Sequence, residues 1–262
     1  MKSPLDRRDH NLASVYALSR AEQKALPQEY SLQDDLFPIR DQKKTSQCVA
    51  FSCACIKEYQ EKKNHGIHDY FSPEWIYDHR ENKPGKGMYL RDACKILQHT
   101  GACRESYWAF GAKKNTVDLD AAQQDAARFT ISRYAQVNCT FDELKKAIYL
   151  TGPLLVMFPV YNATKRQHFW KPSQDTAAAT TAPQPDGYHA VVAVGYTKTG
   201  IVFRNSWGED WHVYGYFTVP KDDIHCMTEA WSLYDVVSDA KYTTLKKAVR
   251  TKKKKSCFGC KK

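Results

Sequence analysis

From Cys48 the chain is apolar on every side, reading Val49-Ala50-Phe51-Ser52-Cys53-Ala54-Cys55-Ile56, then turns charged through residues 57–63 and stops at Asn64-His65-Gly66. A helix with no polar face over its first turns has to be buried there, so this segment is expected to form a core helix. Helical spacing predicts further elements over residues 73–80, 90–99 and 141–149, the last two ended by Gly101 and Gly152. Past residue 150 the pattern changes. Residues 154–161, 190–196, 201–204, 215–219 and 231–237 are short, rich in Val, Phe, Tyr and Ile, and separated by turns, which predicts strands of an antiparallel sheet or barrel. Residues 162–187, rich in Thr, Ala, Pro and Gln, read as a surface loop. Pro38 makes residues 34–40 an extended approach, and residues 12–26 carry a weak helical pattern. Helices first and strands second predict an α+β chain of two lobes. Its parts are a leader over residues 1–28, a body over 29–240 and a tail over 241–262. The body divides into a helical lobe, 29–150, and a β lobe, 151–240.

With 262 residues, 42% of them hydrophobic, the chain can build one large domain or two small ones sharing a core. Its net charge of +10 suggests a nucleic-acid partner until the charges are located. Residues 241–262 hold ten Lys or Arg and no acid, so taking the tail away leaves residues 1–240 formally neutral. The basic character marks the tail as a candidate tether for nucleic acid or an anionic membrane, and gives the body no such role. The opening ten residues are polar, no secretory apolar run follows them, and no stretch approaches the ~20 apolar residues of a membrane span. Nine cysteines, an odd number without a regular framework, add to the expectation of an intracellular, cytoplasmic protein with free thiols. Asn138-Cys139-Thr140 and Asn162-Ala163-Thr164 then read as chance matches to the glycosylation pattern.

A cysteine in the first turn of a buried helix faces unpaired N–H groups and the positive end of the helix dipole, both of which favour thiolate. Taken alone, Cys48 also fits a small core residue. Three further segments add chemistry. Gln42 places an amide donor six residues before Cys48, where it can meet a developing oxyanion. His189 stands at the mouth of the apolar strand Ala190-Val191-Val192-Ala193-Val194, the place for a general base. Asn205, on the neighbouring strand or its turn, can hold the far imidazole nitrogen, and Trp207 can shield that bond from water.

These segments resemble the papain-like cysteine proteases. Gln42 with Cys48-Val49-Ala50-Phe51-Ser52 is similar to the nucleophile motif, and His189-Ala190-Val191 with Val194-Gly195-Tyr196 to the histidine motif. Asn205-Ser206-Trp207-Gly208, then Trp211 and Gly215-Tyr216-Phe217, is similar to the asparagine motif. His189 and Asn205 lie 141 and 157 residues after Cys48, against roughly 130–150 in the family. The likeness runs from about residue 26 to 237. Phe71-Ser72-Pro73, Leu90-Arg91-Asp92-Ala93 and Glu105-Ser106-Tyr107-Trp108 look closer to compact relatives in microbes and large DNA viruses, which makes packaging in a virion the alternative location.

The resemblance implies a two-lobed α+β fold with a helical N-terminal lobe and an antiparallel, barrel-like C-terminal lobe. It implies hydrolysis of protein or peptide substrates through an acyl-enzyme, with no cofactor and no metal. Cys48 would be the nucleophile, His189 the acid and base, Asn205 its orienting partner, and Gln42 with the Cys48 N–H the oxyanion hole. An acyltransferase or isopeptidase using the same triad is the rival activity, and a non-catalytic scaffold tethered by its tail the rival class.

Departures from the family bear on rate and scope. Thr45-Ser46-Gln47 after Lys43-Lys44 replaces Gly-Cys-Gly-Ser, so the family's disulfide partner is absent and glycines give way to Lys43 and Ser46. Val49 stands for the usual aromatic and His212 for a glycine. Gly85-Lys86-Gly87-Met88 corresponds to the glycine-rich substrate wall, where Gly87, Met88 and, across the cleft, Tyr188 would bind substrate; a turn between helices accounts for these glycines equally well. Residues 12–26 form either a cover for the cleft or an ordinary surface helix. Cys53 and Cys55 read as core thiols. Cys257 and Cys260 have half the spacing of a zinc site without a second pair, so no structural metal is expected; a solvated tail or an acylated anchor remain.

Overall fold

The computed structural model of the chain describes residues 2–15, 22–23, 25–161, 168–172 and 183–234. The expectations for the basic tail, for Cys257 and Cys260 and for the last residues of the 231–237 strand lie outside the described residues. So does most of the 162–187 loop.

The central helix α2, Cys48–His65, starts at the cysteine and ends where Gly66 takes a left-handed φ of 68°. Before it come one helical turn, α1 (Leu12–Val15), and the two-residue strand β1 (Tyr30–Ser31). Helix α3 (Pro73–Asp78) begins as expected and stops two residues early; Ser72 caps it by accepting from Trp75 N, with Pro73 in the first turn. Helix α4 (Leu90–His99) has the expected bounds. Gly101 beyond it needs to be glycine twice over: its φ is +78°, and a Cβ there would stand 2.0 Å from Ala126 O. Helix α6 (Phe141–Thr151) opens on a Thr140 cap to Glu143 N. Besides the short β1, two elements escaped the sequence reading, helix α5 (Leu119–Ala126), capped by Asp118, and strand β2 (Arg133–Gln136).

The later strands are β3 (Leu154–Val160), β4 (Gly187–Tyr196), β5 (Gly200–Arg204), β6 (Tyr216–Pro220) and β7 (Glu229–Tyr234). They form one antiparallel sheet in the order β2-β7-β3-β4-β5-β6, with β1 paired to β4 off that path. Every residue of β3 is buried, which explains its continuous apolar run where a half-exposed strand would alternate. Cover comes from α2 on β3 and β4, α4 on β2, β3 and β7, and α6 on β4, β5 and β7. Gly195 lets β1 pair closely with β4, since a Cβ there would meet Tyr30 O at 2.6 Å. The α+β architecture with a helical first lobe and an antiparallel second lobe is the one expected.

The described start of the chain is a strap on α4, β2 and β7. Ser3 N donates to Glu229 Oε2 (2.9 Å), Ser3 Oγ accepts from Arg91 N (3.1 Å), Asp9 pairs with Arg91, and His10 O accepts from Gln136 N (2.8 Å). Leu12 is fully buried. Among the described residues no helix is long and apolar enough to cross a membrane.

Candidate active site

Cys48 is the first residue of α2, and Gln47, its N-cap, makes no side-chain cap bond. The first-turn N–H groups are therefore not taken by a capping side chain. The thiol lies against the backbone N–H groups of Val49 and Ala190, which both favour thiolate. Ala190 follows His189, so the helix start meets β4 at the residue after the histidine.

His189 pairs with Phe158 across β3 and β4. Asn205 follows the last residue of β5, the neighbouring strand, and its N–H is held by Gly215 O (2.9 Å). Adjacent strands thus bring residues sixteen apart in sequence to 2.7 Å, between His189 Nε2 and Asn205 Oδ1. The same Oδ1 accepts from Ser206 N at 2.8 Å. A backbone N–H can only donate, so this atom is the oxygen, and His189 Nε2 must carry the hydrogen it shares with Oδ1. That leaves Nδ1 with the lone pair, the nitrogen able to take a proton from a thiol.

Aromatic rings enclose the imidazole. Trp207 stacks on it at 4.4 Å between centroids and 28° between planes, Phe169 meets it edge-on at 5.9 Å, and Trp211 braces Trp207 at 5.2 Å. Burial pushes the His189 imidazole down to about 4, against the opposing pull of Asn205. Burial also pushes the Cys48 thiol up, and the Ala190 and Val49 N–H groups offset this only in part. Desolvation therefore works against the thiolate expected from the helix start, on a thiol that is itself only partly buried. Both shifts favour a neutral thiol beside a neutral imidazole. Cys53 and Cys55 are buried on the same helix, and burial raises both thiols, Cys55 to about 11, as suits core residues.

Gln42 is buried and tied to the asparagine segment. Its N–H donates to Ser206 O (2.8 Å) and its Oε1 accepts from Ser206 Oγ (2.7 Å). Its Nε2 donates one hydrogen to Thr45 O (2.9 Å), leaving the second for another acceptor. Ser206 therefore holds Gln42 and Asn205 together. It lies inside the Asn205–Gly208 motif, but nothing in the sequence shows which way its hydroxyl turns. Phe169 was also missed, because it sits in a segment with a loop's composition. Lys43, standing for a family glycine, adopts a φ of 57°, and His212, also standing for glycine, a φ of 53°. Of the substrate-wall residues, Gly87 has a φ of +77° with open space where a Cβ would go. Met88 is 2% exposed and packs in the core, where it offers little surface to a substrate, whereas Tyr188 is 41% exposed. Among the described residues no three His, Cys, Asp or Glu side chains are grouped to hold a metal.

A family profile described as papain family cysteine protease matches residues 26–236. An uncharacterized peptidase C1-like protein of Acanthamoeba polyphaga mimivirus is 26% identical over 222 residues, 75% of this chain and 69% of that protein. The thiol protease aleurain of Arabidopsis thaliana is 25% identical over 239 residues, and the chain spans 64% of its length with 86% of its own. For peptidase 1 of Dermatophagoides pteronyssinus the identity is 26% over 195 residues, 71% of this chain and 58% of that protein. The chain thus spans less than two thirds of the plant and mite relatives. Among solved structures, xylellain, a cysteine protease from Xylella fastidiosa, has the same fold with a TM-score of 0.73 at 24% identity, covering 90% of this chain and 95% of that one. A profile match over most of its length, on this fold, makes the chain a member of the papain family of cysteine proteases.

Proposed function

We propose that the chain is a cysteine peptidase in which Cys48, His189 and Asn205 form the catalytic triad. The observation that carries this is the 2.7 Å bond from His189 Nε2 to Asn205 Oδ1, with the Asn205 amide oriented by Ser206 N. Nδ1 is then the base. When a peptide enters, Nδ1 takes the proton from Cys48 Sγ as the sulfur attacks the scissile carbonyl carbon. The oxyanion receives hydrogen bonds from the Cys48 N–H and the second hydrogen of Gln42 Nε2. Collapse of this intermediate breaks the C–N bond, and the imidazolium gives its proton to the leaving amine. Water, deprotonated by the same Nδ1, then attacks the thioester; the C–S bond breaks, the carboxylic acid leaves, and Nδ1 returns the proton to Cys48 Sγ. Trp207 and Phe169 keep bulk water from the His189–Asn205 bond throughout.

The test is cleavage of a peptide library by wild type and by Cys48→Ala. Wild-type cleavage with none in the variant supports the reading, and equal cleavage ends it. An added amine acceptor separates the rival activity, since an acyltransferase would give amide in preference to free acid. The catalytic unit is proposed to span residues 29–240, with residues 241–262 as a separable tether of ten positive charges. Truncation near residue 240 should then keep peptide hydrolysis and abolish retention on heparin; unchanged retention rules the tether out.

A further inference from the structure

The Asn205 side chain has two ends, and only one is accounted for. Oδ1 serves His189 and Ser206. Nδ2 is buried and, among the described residues, has no hydrogen-bond partner, although Asn205 as a whole is 2% exposed. Buried donors are nearly always paired, with protein or with ordered water. The amide that fixes the histidine tautomer would otherwise be held at one end only.

A small cavity of about 20 Å³ adjoins Asn205, lined also by Ser206, Ser52, Glu58, Arg40 and Arg204. One water needs about 10–15 Å³ of such space and two to four polar partners, so the cavity has room for a water. Glu58, on α2, is itself buried. Its Oε1 accepts from Phe71 N (3.2 Å) and Arg40 Nη1 (3.3 Å), which leaves Oε2 as the oxygen not used by these bonds. Besides Glu58, Arg40 donates to Phe71 O (3.0 Å) and Glu105, and Arg204 donates to Phe37 O and Pro38 O. These bonds stitch the 37–40 approach to α2 and β5, so the cavity lies on the seam between the two lobes.

We propose that this cavity holds one ordered water that accepts the Asn205 Nδ2 hydrogen and donates to Glu58, making Glu58 a positioning residue for the Asn205–His189 pair. The inference rests on the catalytic reading above for its effect on rate, though not for the water itself. Glu58 touches neither substrate nor sulfur; it acts by holding the far end of the amide. Glu58→Gln presents an amide in place of a carboxylate, so the water loses an acceptor it can rely on and Asn205 loses its anchor.

Two measurements decide the proposal. A crystal structure of the wild-type chain near 1.5 Å, a resolution (chosen to show single waters) typical for such sites, should show density for one water within hydrogen-bond reach of both Nδ2 and Glu58. An empty cavity, or Nδ2 bonded to a protein group, overturns the proposal without any variant having to fold. The second is a double-mutant cycle on kcat. Glu58→Gln should lower kcat about tenfold with KM unchanged, and in an Asn205→Ala background the same change should cost less than about twofold. A merely structural Glu58 would cost the same factor in both backgrounds, which sinks the positioning role. A wild type lacking Cys48-dependent turnover would instead overturn the catalytic reading and the positioning role together, while the density still decides the water.

Discussion

The two halves of the site are built by different means. The proposed nucleophile sits on a helix start, where backbone alone positions it: Cys48 is the first residue of α2, and its sulfur is met by the N–H groups of Val49 and Ala190. The proposed base sits at the end of a strand, where side chains position it: His189 is bonded by Asn205, stacked by Trp207 and edged by Phe169. A helix start is hard to disturb by changing one side chain, because its donors belong to the main chain. The sheet end depends on a chain of side-chain contacts, each of which can be removed. Damage at the first half should therefore be chemical and leave the fold alone, while damage at the second should be graded.

The largest effect is expected from Cys48→Ala, which should lower kcat by at least about 10⁴-fold while the melting temperature stays within a few degrees. Residual turnover above a hundredth of wild type would mean the helix start is not where the acyl-enzyme forms. Next comes Asn205→Ala. Without Oδ1 the imidazole loses its enforced tautomer, and kcat should fall about 10²-fold with little change in KM. Ser206→Ala removes the hydroxyl from Gln42 Oε1 but keeps the backbone donor to Asn205. Its loss should be about tenfold and confined to kcat, since only the proposed oxyanion donor, Gln42, loosens.

Buried His189 differs in proton affinity from the same residue in the unfolded chain. An unfolded histidine takes up a proton below about 6.5, whereas folded His189 resists until about 4. The stability held by neutral His189 is thus complete above 6.5, erodes as pH falls, and is gone near 4, a loss of up to about 3 kcal/mol. Urea unfolding between pH 7 and 4 should show this slope in Cys48→Ala and a shallower one in Cys48→Ala/His189→Gln; identical slopes would deny the burial its cost. The smallest effect belongs to the backbone. Lys43 and His212 hold positive φ without being glycine, so Lys43→Gly and His212→Gly should each raise stability by about 1 kcal/mol, read as a rise in midpoint urea concentration.

How far the sequence reached depended on how local the cause was. The start of α2 at Cys48, its stop at Gly66 and the bounds of α4 follow from neighbouring residues, and so were legible. The strands after residue 150 were legible for the same reason. Strand β2 was not, because Arg133–Gln136 has no apolar run of its own and is a strand only through its pairing with β7. The motif spacing selected Cys48, His189 and Asn205 as candidates. Tertiary structure alone decided the rest. It turned the Ser206 hydroxyl onto Gln42, brought Phe169 out of a loop-like segment to the edge of His189, buried Met88, and set two titratable groups toward their neutral forms. The physical reason is that a turn or a helix start is a property of a few consecutive residues. Desolvation, by contrast, sums over every group that displaces water, and those groups come from all along the chain.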